Sequence, residues 1–206
     1  MRKMTLACAL LLALAAAAAA QERPKEKERV QVDPDQNYLV LSTKRIQTME
    51  KELDEVAAKG FRVLYGGPTE SFDMALFLQR TQAADQPTYA YRILATTRKK
   101  TMEKELNEGA RGGFRLLPRT VIFKEGFFTA EMLMVMERAP QTDKNYEYKL
   151  VSATKETKLH KKIDAAMAEG FVPLTLITLG EHIIVMERET TGAAPAAASA
   201  GAGPQE

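Results

Sequence analysis

The chain has 206 residues, with 29 Lys and Arg against 27 Asp and Glu and a net charge of +2. Once Arg2 and Lys3 of the N-terminal segment are set aside, the two signs balance, which argues against a non-specific nucleic-acid binder dependent on surplus cations. An apolar content of 45% excludes a wholly disordered chain.

Residues 1–20 read as an export signal. Arg2 and Lys3 supply the positive start, Leu6 to Ala17 the apolar stretch, and Ala18-Ala19-Ala20 the small residues before a cut at Gln21. The competing reading is a retained membrane anchor, although the run is short for a spanning helix and much of it is Ala. Cys8 is the single cysteine and lies inside this segment, so the mature chain holds no thiol for disulfides, thiolate metal sites or nucleophilic catalysis. The expected product is periplasmic or secreted, with no membrane span after signal cleavage. Residues 21–36 follow as a charged linker, expected to be disordered.

From there the chain compares best with itself. Thr48-Met49-Glu50-Lys51-Glu52-Leu53 recurs unchanged as Thr101-Met102-Glu103-Lys104-Glu105-Leu106. Gly60-Phe61, Gly113-Phe114 and Gly170-Phe171 lie in matching places, and Tyr38, Tyr91 and Tyr148 stand at one constant distance before those glycines. Arg80, Arg138 and Arg188 close the units. Three tandem copies are therefore expected at 37–80, 89–138 and 146–188, joined by polar linkers at 81–88 and 139–145. Residues 189–206 form an Ala/Gly/Pro tail expected to be disordered.

Each copy opens on an extended segment rich in aromatic and β-branched residues: Tyr38–Thr43, Tyr89–Thr96 and Tyr146–Ala153. A helix follows, with Met49/Leu53/Ala57, Met102/Leu106/Ala110 and Leu159/Ile163/Met167 spaced to share one stripe. Lys and Glu fill most other helical positions, a solvated face by default. The glycine after each stripe suits a left-handed C′ residue. Two more strands complete the unit. In the third copy they are Phe171–Leu179 and His182–Arg188, with Gly180-Glu181 expected as a type II′ turn. Gly66-Gly67-Pro68 and Lys124-Glu125-Gly126 are the corresponding connections in the first and second copies.

The closing strands Met74–Leu78, Met132–Met136 and Ile183–Met186 are apolar throughout instead of alternating, as expected of strands buried on both faces. One helix covers one face of a small sheet, so another copy should cover the other. The fold class is therefore α+β: three tandem β-α-β-β repeats with antiparallel sheets, one helix per repeat and a shared core.

Tyr146-Glu147-Tyr148-Lys149-Leu150-Val151 resembles the opening strand of a small bacterial domain-of-unknown-function family, which continues through a helix and Gly-Trp-Glu-Leu-Val to a strand ending in Arg. Tyr89-Ala90-Tyr91-Arg92-Ile93 and Asn37-Tyr38-Leu39-Val40 are weaker versions. All three copies have Phe where the family has Trp. The resemblance implies the β-α-β-β unit and no activity, cofactor or functional residue.

The chemistry on offer is sparse. His160 and His182 occupy non-equivalent places, and no nucleophile elbow, phosphate loop or His-Glu-x-x-His pattern occurs. The expectation is no enzyme and no cofactor. Met132, Met134 and Met136 alternate along one strand, which admits Cu(I) through soft thioethers but fits core filling better. Lys44, Arg45, Arg98, Lys99, Lys100, Lys155 and Lys158 gather at the helix starts, after Thr43, Thr97 and Thr154 as candidate N-caps. Cations there oppose the helix dipole unless an anion lies between them. The sequence thus points to a non-catalytic binding or scaffold module for another envelope macromolecule, with an anion or small-ligand carrier as the alternative and a homo-oligomer as a possible state.

Overall fold

The structure, a computed structural model, describes residues 30–69, 74–81, 83, 86–125, 130–142, 144–178 and 180–190. The described residues from Val32 onward form one compact unit that holds every element named below. The export signal, residues 21–29 of the charged linker and the tail from 191 onward lie outside the described residues.

The described chain is α+β, with three antiparallel sheets and three α-helices. The first sheet contains β1 (Tyr38–Thr43), β2 (Phe61–Pro68) and β3 (Met74–Arg80), with α1 (Ile46–Ala57) between its first two strands. The second contains β4 (Ala90–Thr96), β5 (Arg115–Leu116), β6 (Ile122–Glu125) and β7 (Ala130–Arg138), with α2 (Lys99–Arg111) after β4. The third contains β8 (Asn145–Ala153), β9 (Val172–Thr178) and β10 (His182–Thr190), with α3 (Glu156–Ala168) after β8. In every sheet the last strand lies in the middle, in the orders β1-β3-β2, β4-β7-β5 with β6 also on β7, and β8-β10-β9. The most apolar strand of each segment is thereby the central one, hydrogen-bonded along both edges.

Each helix lays its apolar stripe on its own sheet. Met49, Leu53 and Ala57 are buried over the first sheet, Met102, Leu106 and Ala110 over the second. Leu159 and Ala166 pack with Phe171, Met186 and the partly buried Ile163 in the third. Met167, expected on the buried stripe, is exposed. The reason is positional: α1 also packs against β4 of the second sheet and α2 against β8 of the third, whereas α3 packs mainly against β8, β9 and β10 of its own sheet.

The Met132/Met134/Met136 face is core, packed with Met102, Leu106 and Ala110 and continuous with Tyr148, Ile177, Ile183 and Val185 of the third sheet. A single apolar cluster thus joins the second and third sheets.

The helix ends explain two signature residues. Gly60, Gly113 and Gly170 all have positive φ, between 80° and 89°. At α2 and α3, Phe114 and Phe171 donate their N–H groups back to the carbonyls of Gly109 and Ala166, closing a Schellman motif. The closing arginines stack on these phenylalanines: Arg80 lies 4.8 Å from the Phe61 ring, Arg138 4.9 Å from Phe114 and Arg188 4.6 Å from Phe171. Arg188 Nη1 also donates to the Glu169 carbonyl at 2.7 Å, satisfying a helix-end acceptor. A Cβ on Gly170 would meet Arg188 Cδ at 3.4 Å. Gly170→Val is expected to lower stability by about 2 kcal/mol, because a β-branched residue is strained at φ 89° and crowds the arginine. Thermal unfolding of the variant beside the wild type measures it.

Four local expectations are corrected. Gly66, Gly67 and Pro68 belong to β2 instead of a connection. Proline is tolerated there because β2 is an edge strand, and a Cβ on Gly66 would approach Thr120 Cα at 3.1 Å. Lys124 and Glu125 are likewise strand residues, in β6, while 126–129 lie outside the described residues. The β9–β10 hairpin pairs Thr178 with His182, so three positions separate the pair, one more than in a two-residue type II′ turn, and Gly180 has φ 65°. In the second sheet, Pro118 starts a 3-10 turn (Pro118–Thr120) and splits the expected single strand into β5 and β6. At the chain ends, β10 runs on to Thr190, and Arg80 ties the turn at Asp33–Gln36 to the first sheet through the carbonyls of Gln36 and Asp33.

Candidate functional site

The polar groups that organise this molecule lie between its sheets. Glu137, at the end of β7, is buried, and Arg62 of β2 reaches it with two donors: Nε to Oε2 at 2.9 Å and Nη2 to Oε1 at 2.7 Å. The Tyr91 hydroxyl donates to the same carboxylate at 3.1 Å while accepting the Val63 N–H at 3.1 Å. The Arg62 guanidinium also lies 4.5 Å over the Tyr89 ring. Sheet 1 therefore presents an edge strand and a cation to a Tyr–Glu pair on sheet 2.

The same clasp joins sheets 2 and 3. Arg115 Nη2 donates to Glu187 Oε1 at 2.8 Å and its Nε to Oε2 at 3.1 Å. The Tyr148 hydroxyl donates to Glu187 at 2.9 Å and accepts the Leu116 N–H at 2.8 Å. Arg115 lies 4.6 Å over Tyr146. Burial, reinforced by the adjacent carboxylate, pushes both phenols well above their ordinary titration range. Hydrogen bonding to the carboxylates holds the two guanidiniums still more firmly protonated. A bidentate pair of this kind sets orientation as well as attraction.

A second contact, from helix to strand, accompanies each clasp. Glu50 of α1 accepts the Ile93 N–H of β4 at 3.2 Å, and Glu103 of α2 accepts the Leu150 N–H of β8 at 2.7 Å. Asn107 adds a two-way bond to the Tyr148 backbone, donating to its carbonyl and accepting its N–H, both at 2.9 Å. This corrects the expectation of a purely solvated face. Glu50 and Glu103 pair with unpaired amides of edge strands, which need acceptors once covered.

What these contacts cover is the sheet face opposite each helix. Tyr91, Ile93, Leu133, Val135 and Glu137 are buried on sheet 2, and Tyr148, Ile183, Val185 and Glu187 on sheet 3. On sheet 1 the matching face is open. Tyr38 is 53% and Val40 62% exposed, with Tyr65 also exposed beside them. The half-buried Phe77 lies opposite Val40 in the ladder and stacks on Tyr38 with ring centroids 5.5 Å apart. Gln79 sits opposite Tyr38, where the other sheets carry their clasp glutamates. Arg119 borders the patch, donating to the Tyr65 hydroxyl at 3.0 Å. This aromatic face is the candidate site.

The basic residues singled out from the sequence lie at three different helix starts. The residues preceding the helices are Arg45, Arg98 and Lys155, none of which makes a side-chain cap bond. They replace Thr43, Thr97 and Thr154 as N-caps: Thr43 and Thr96 instead accept the N–H groups of Arg45 and Arg98 from two residues upstream. Lys44, Arg45, Arg98, Lys100, Lys155 and Lys158 are exposed. Lys99 donates to Ser152 Oγ at 2.7 Å and pairs with Glu181 in the β9–β10 connection. The Lys99 ammonium holds the Glu181 carboxyl below the usual carboxylate range.

His160 is exposed on α3, and His182 at the start of β10 contacts Thr178 Oγ1 at 3.3 Å. Among the described residues no helix is long and apolar enough to cross a membrane, and no three His, Cys, Asp or Glu side chains converge as a metal site. An open cleft of about 490 Å³ lies between the linkers, lined by Thr81, Gln86, Pro87, Tyr89, Ala139, Pro140 and Gln141. No protein-family model matches the chain, and no curated protein or solved structure compared with it matches either.

Proposed function

We propose that the chain is an exported, non-catalytic binding module made of three copies of one β-α-β-β unit, which recognises another envelope macromolecule through the open face of its first copy. The observation that carries this reading is Tyr38, Val40, Tyr65 and Phe77 on an open face, where the second sheet buries Tyr91, Ile93 and Val135 and the third buries Tyr148 and Val185. Apolar clusters of this kind, rimmed by polar groups such as Gln79 and Arg119, mark surfaces that meet another protein. The two clasps indicate what such a face takes: an edge strand whose backbone amide reaches the tyrosine hydroxyl. Gln79 in place of glutamate favours a strand without an arginine at the clasp position. Export follows from the Arg2–Ala20 segment, and the copy reading from the matched residues and the family resemblance.

The test is affinity capture from a cell-envelope extract with the mature chain, set beside Tyr38→Ser and Val40→Ser together. Both side chains are exposed, so the variant keeps the wild-type melting temperature. A specific protein retained by the wild type and lost from the variant supports the reading; equal retention by both overturns it. Stabilisation of the wild type by a small anion, with no protein retained, would favour the carrier reading instead.

A further inference from the structure

Each clasp has a giving half and a receiving half, and both can be followed past the ends of the array. The giving half is an arginine, the amide N–H that follows it and a helical glutamate: Arg62, Val63 and Glu50 in the first unit, Arg115, Leu116 and Glu103 in the second. Counted from the signature glycine, the third unit places Val172, Pro173 and His160 there. The cation, the donor and the acceptor are all gone. The receiving half is a tyrosine and a glutamate: Tyr91 with Glu137, Tyr148 with Glu187. The first unit keeps Tyr38 and has Gln79 in the glutamate position.

The backbone that carried the giving half remains in place. β9 is an edge strand like β2, and both bulge at the matching leucine, Leu64 in β2 and Leu174 in β9. Val172, Leu176 and the neighbouring Met167 on α3 are exposed. We infer that the open face of β1–β3 and the outer edge of β9 are two halves of the same interface with its polar clasp deleted, so that a second copy of this chain fits end to end but is not held. The deletions act as terminators of the array.

The physical reason is desolvation. Docking would bury the Tyr38 hydroxyl and the Gln79 amide against Val172, which brings no charge, and Pro173, which brings no N–H. Proline on an edge strand also removes an amide from strand addition. A heterologous contact of this kind builds rings or open filaments, so an exposed apolar end needs a device against it. The face on sheet 1 is thereby left to a partner other than the chain itself.

This inference rests on the three-copy reading and is tested on the full chain with two complementary variants. One carries Gln79→Glu and restores the receiving half. The other carries His160→Glu, Val172→Arg and Pro173→Val and restores the giving half. Each alone should sediment as the wild type does, and their mixture should form a one-to-one complex at least 100-fold tighter than any wild-type self-association. Adding Val40→Asp to the first variant should abolish the complex. A mixture that stays unassociated while both variants melt like the wild type overturns the inference, as does wild-type end-to-end association that Val40→Asp blocks. If Arg115→Ala, inside the array, leaves stability unchanged, the copy reading itself fails; an unassociated mixture with a strong internal clasp sinks only the end-to-end inference.

Discussion

Replacing Arg115 with Ala should destabilise the protein by about 3–5 kcal/mol, more than replacing Glu187 with Gln, although the two side chains form one ion pair. The asymmetry comes from burial. Glu187 is 3% exposed, held by Arg115 and by the Tyr148 hydroxyl. Without the guanidinium, a carboxylate stays in the sheet interface with one neutral donor, and the desolvation penalty is uncompensated. Arg115 is about half exposed, so when Glu187 becomes Gln the cation turns to water and the amide oxygen still accepts from Tyr148. That change should cost about 1–2 kcal/mol, the value of charge-assisted bonds exchanged for neutral ones. Arg62→Ala and Glu137→Gln should repeat the order at the first clasp, where Glu137 is 6% exposed. Denaturant unfolding of all four variants measures both differences. Equal losses within each pair would mean that the buried carboxylates are solvated in solution.

Local pattern is legible in the sequence, and what joins the sheets is not. Helical spacing and the left-handed glycines are local properties, decided within one turn, so Met49/Leu53 and Met102/Leu106 could be placed on a buried stripe from spacing alone. The wholly apolar closing strands were expected to be buried on both faces; β7 is, β10 is apart from the half-buried Ile184, and β3 is not, because its Phe77 face is open. Arg62 and Glu137 lie 75 positions apart, and no periodicity links them. Glu50 and Glu103 looked like solvated charges because an i,i+4 pattern says nothing about an adjacent strand's free amide. One signal was available: arginine follows Gly-Phe in the first two units and valine in the third, while glutamate precedes the closing arginine in the last two and glutamine in the first. An ion pair offset by one unit leaves that pattern, with the odd residue at opposite ends. On the proposed three-copy reading, the exposure of Met167 and of the Tyr38–Phe77 face has the same origin: an end copy keeps a surface that the others cover.

Alkaline unfolding gives an independent reading of both clasps. The Tyr91 and Tyr148 phenols are raised by burial, with the adjacent Glu137 and Glu187 adding to it, so the folded state holds these protons more tightly than the unfolded chain does. A raised folded value means a contribution fully present below the unfolded value, about pH 10 for tyrosine, and lost as pH rises from there towards the folded one. Each buried phenol should remove about 1.4 kcal/mol of stability per pH unit across that window, so two together remove about 2.7 kcal/mol per unit. Arginine stays charged throughout and does not counter the loss. Tyr148→Phe should therefore weaken the protein at neutral pH by about 1–2 kcal/mol, through the lost bonds to Glu187 and Leu116, and halve the slope above pH 10. Tyr38→Phe, at an exposed position, should leave the neutral-pH stability unchanged. Denaturant melts from pH 8 to 11.5 on the three proteins separate the outcomes: an unchanged alkaline slope in Tyr148→Phe would show that its phenol ionises freely in the folded state, which the buried clasp does not allow.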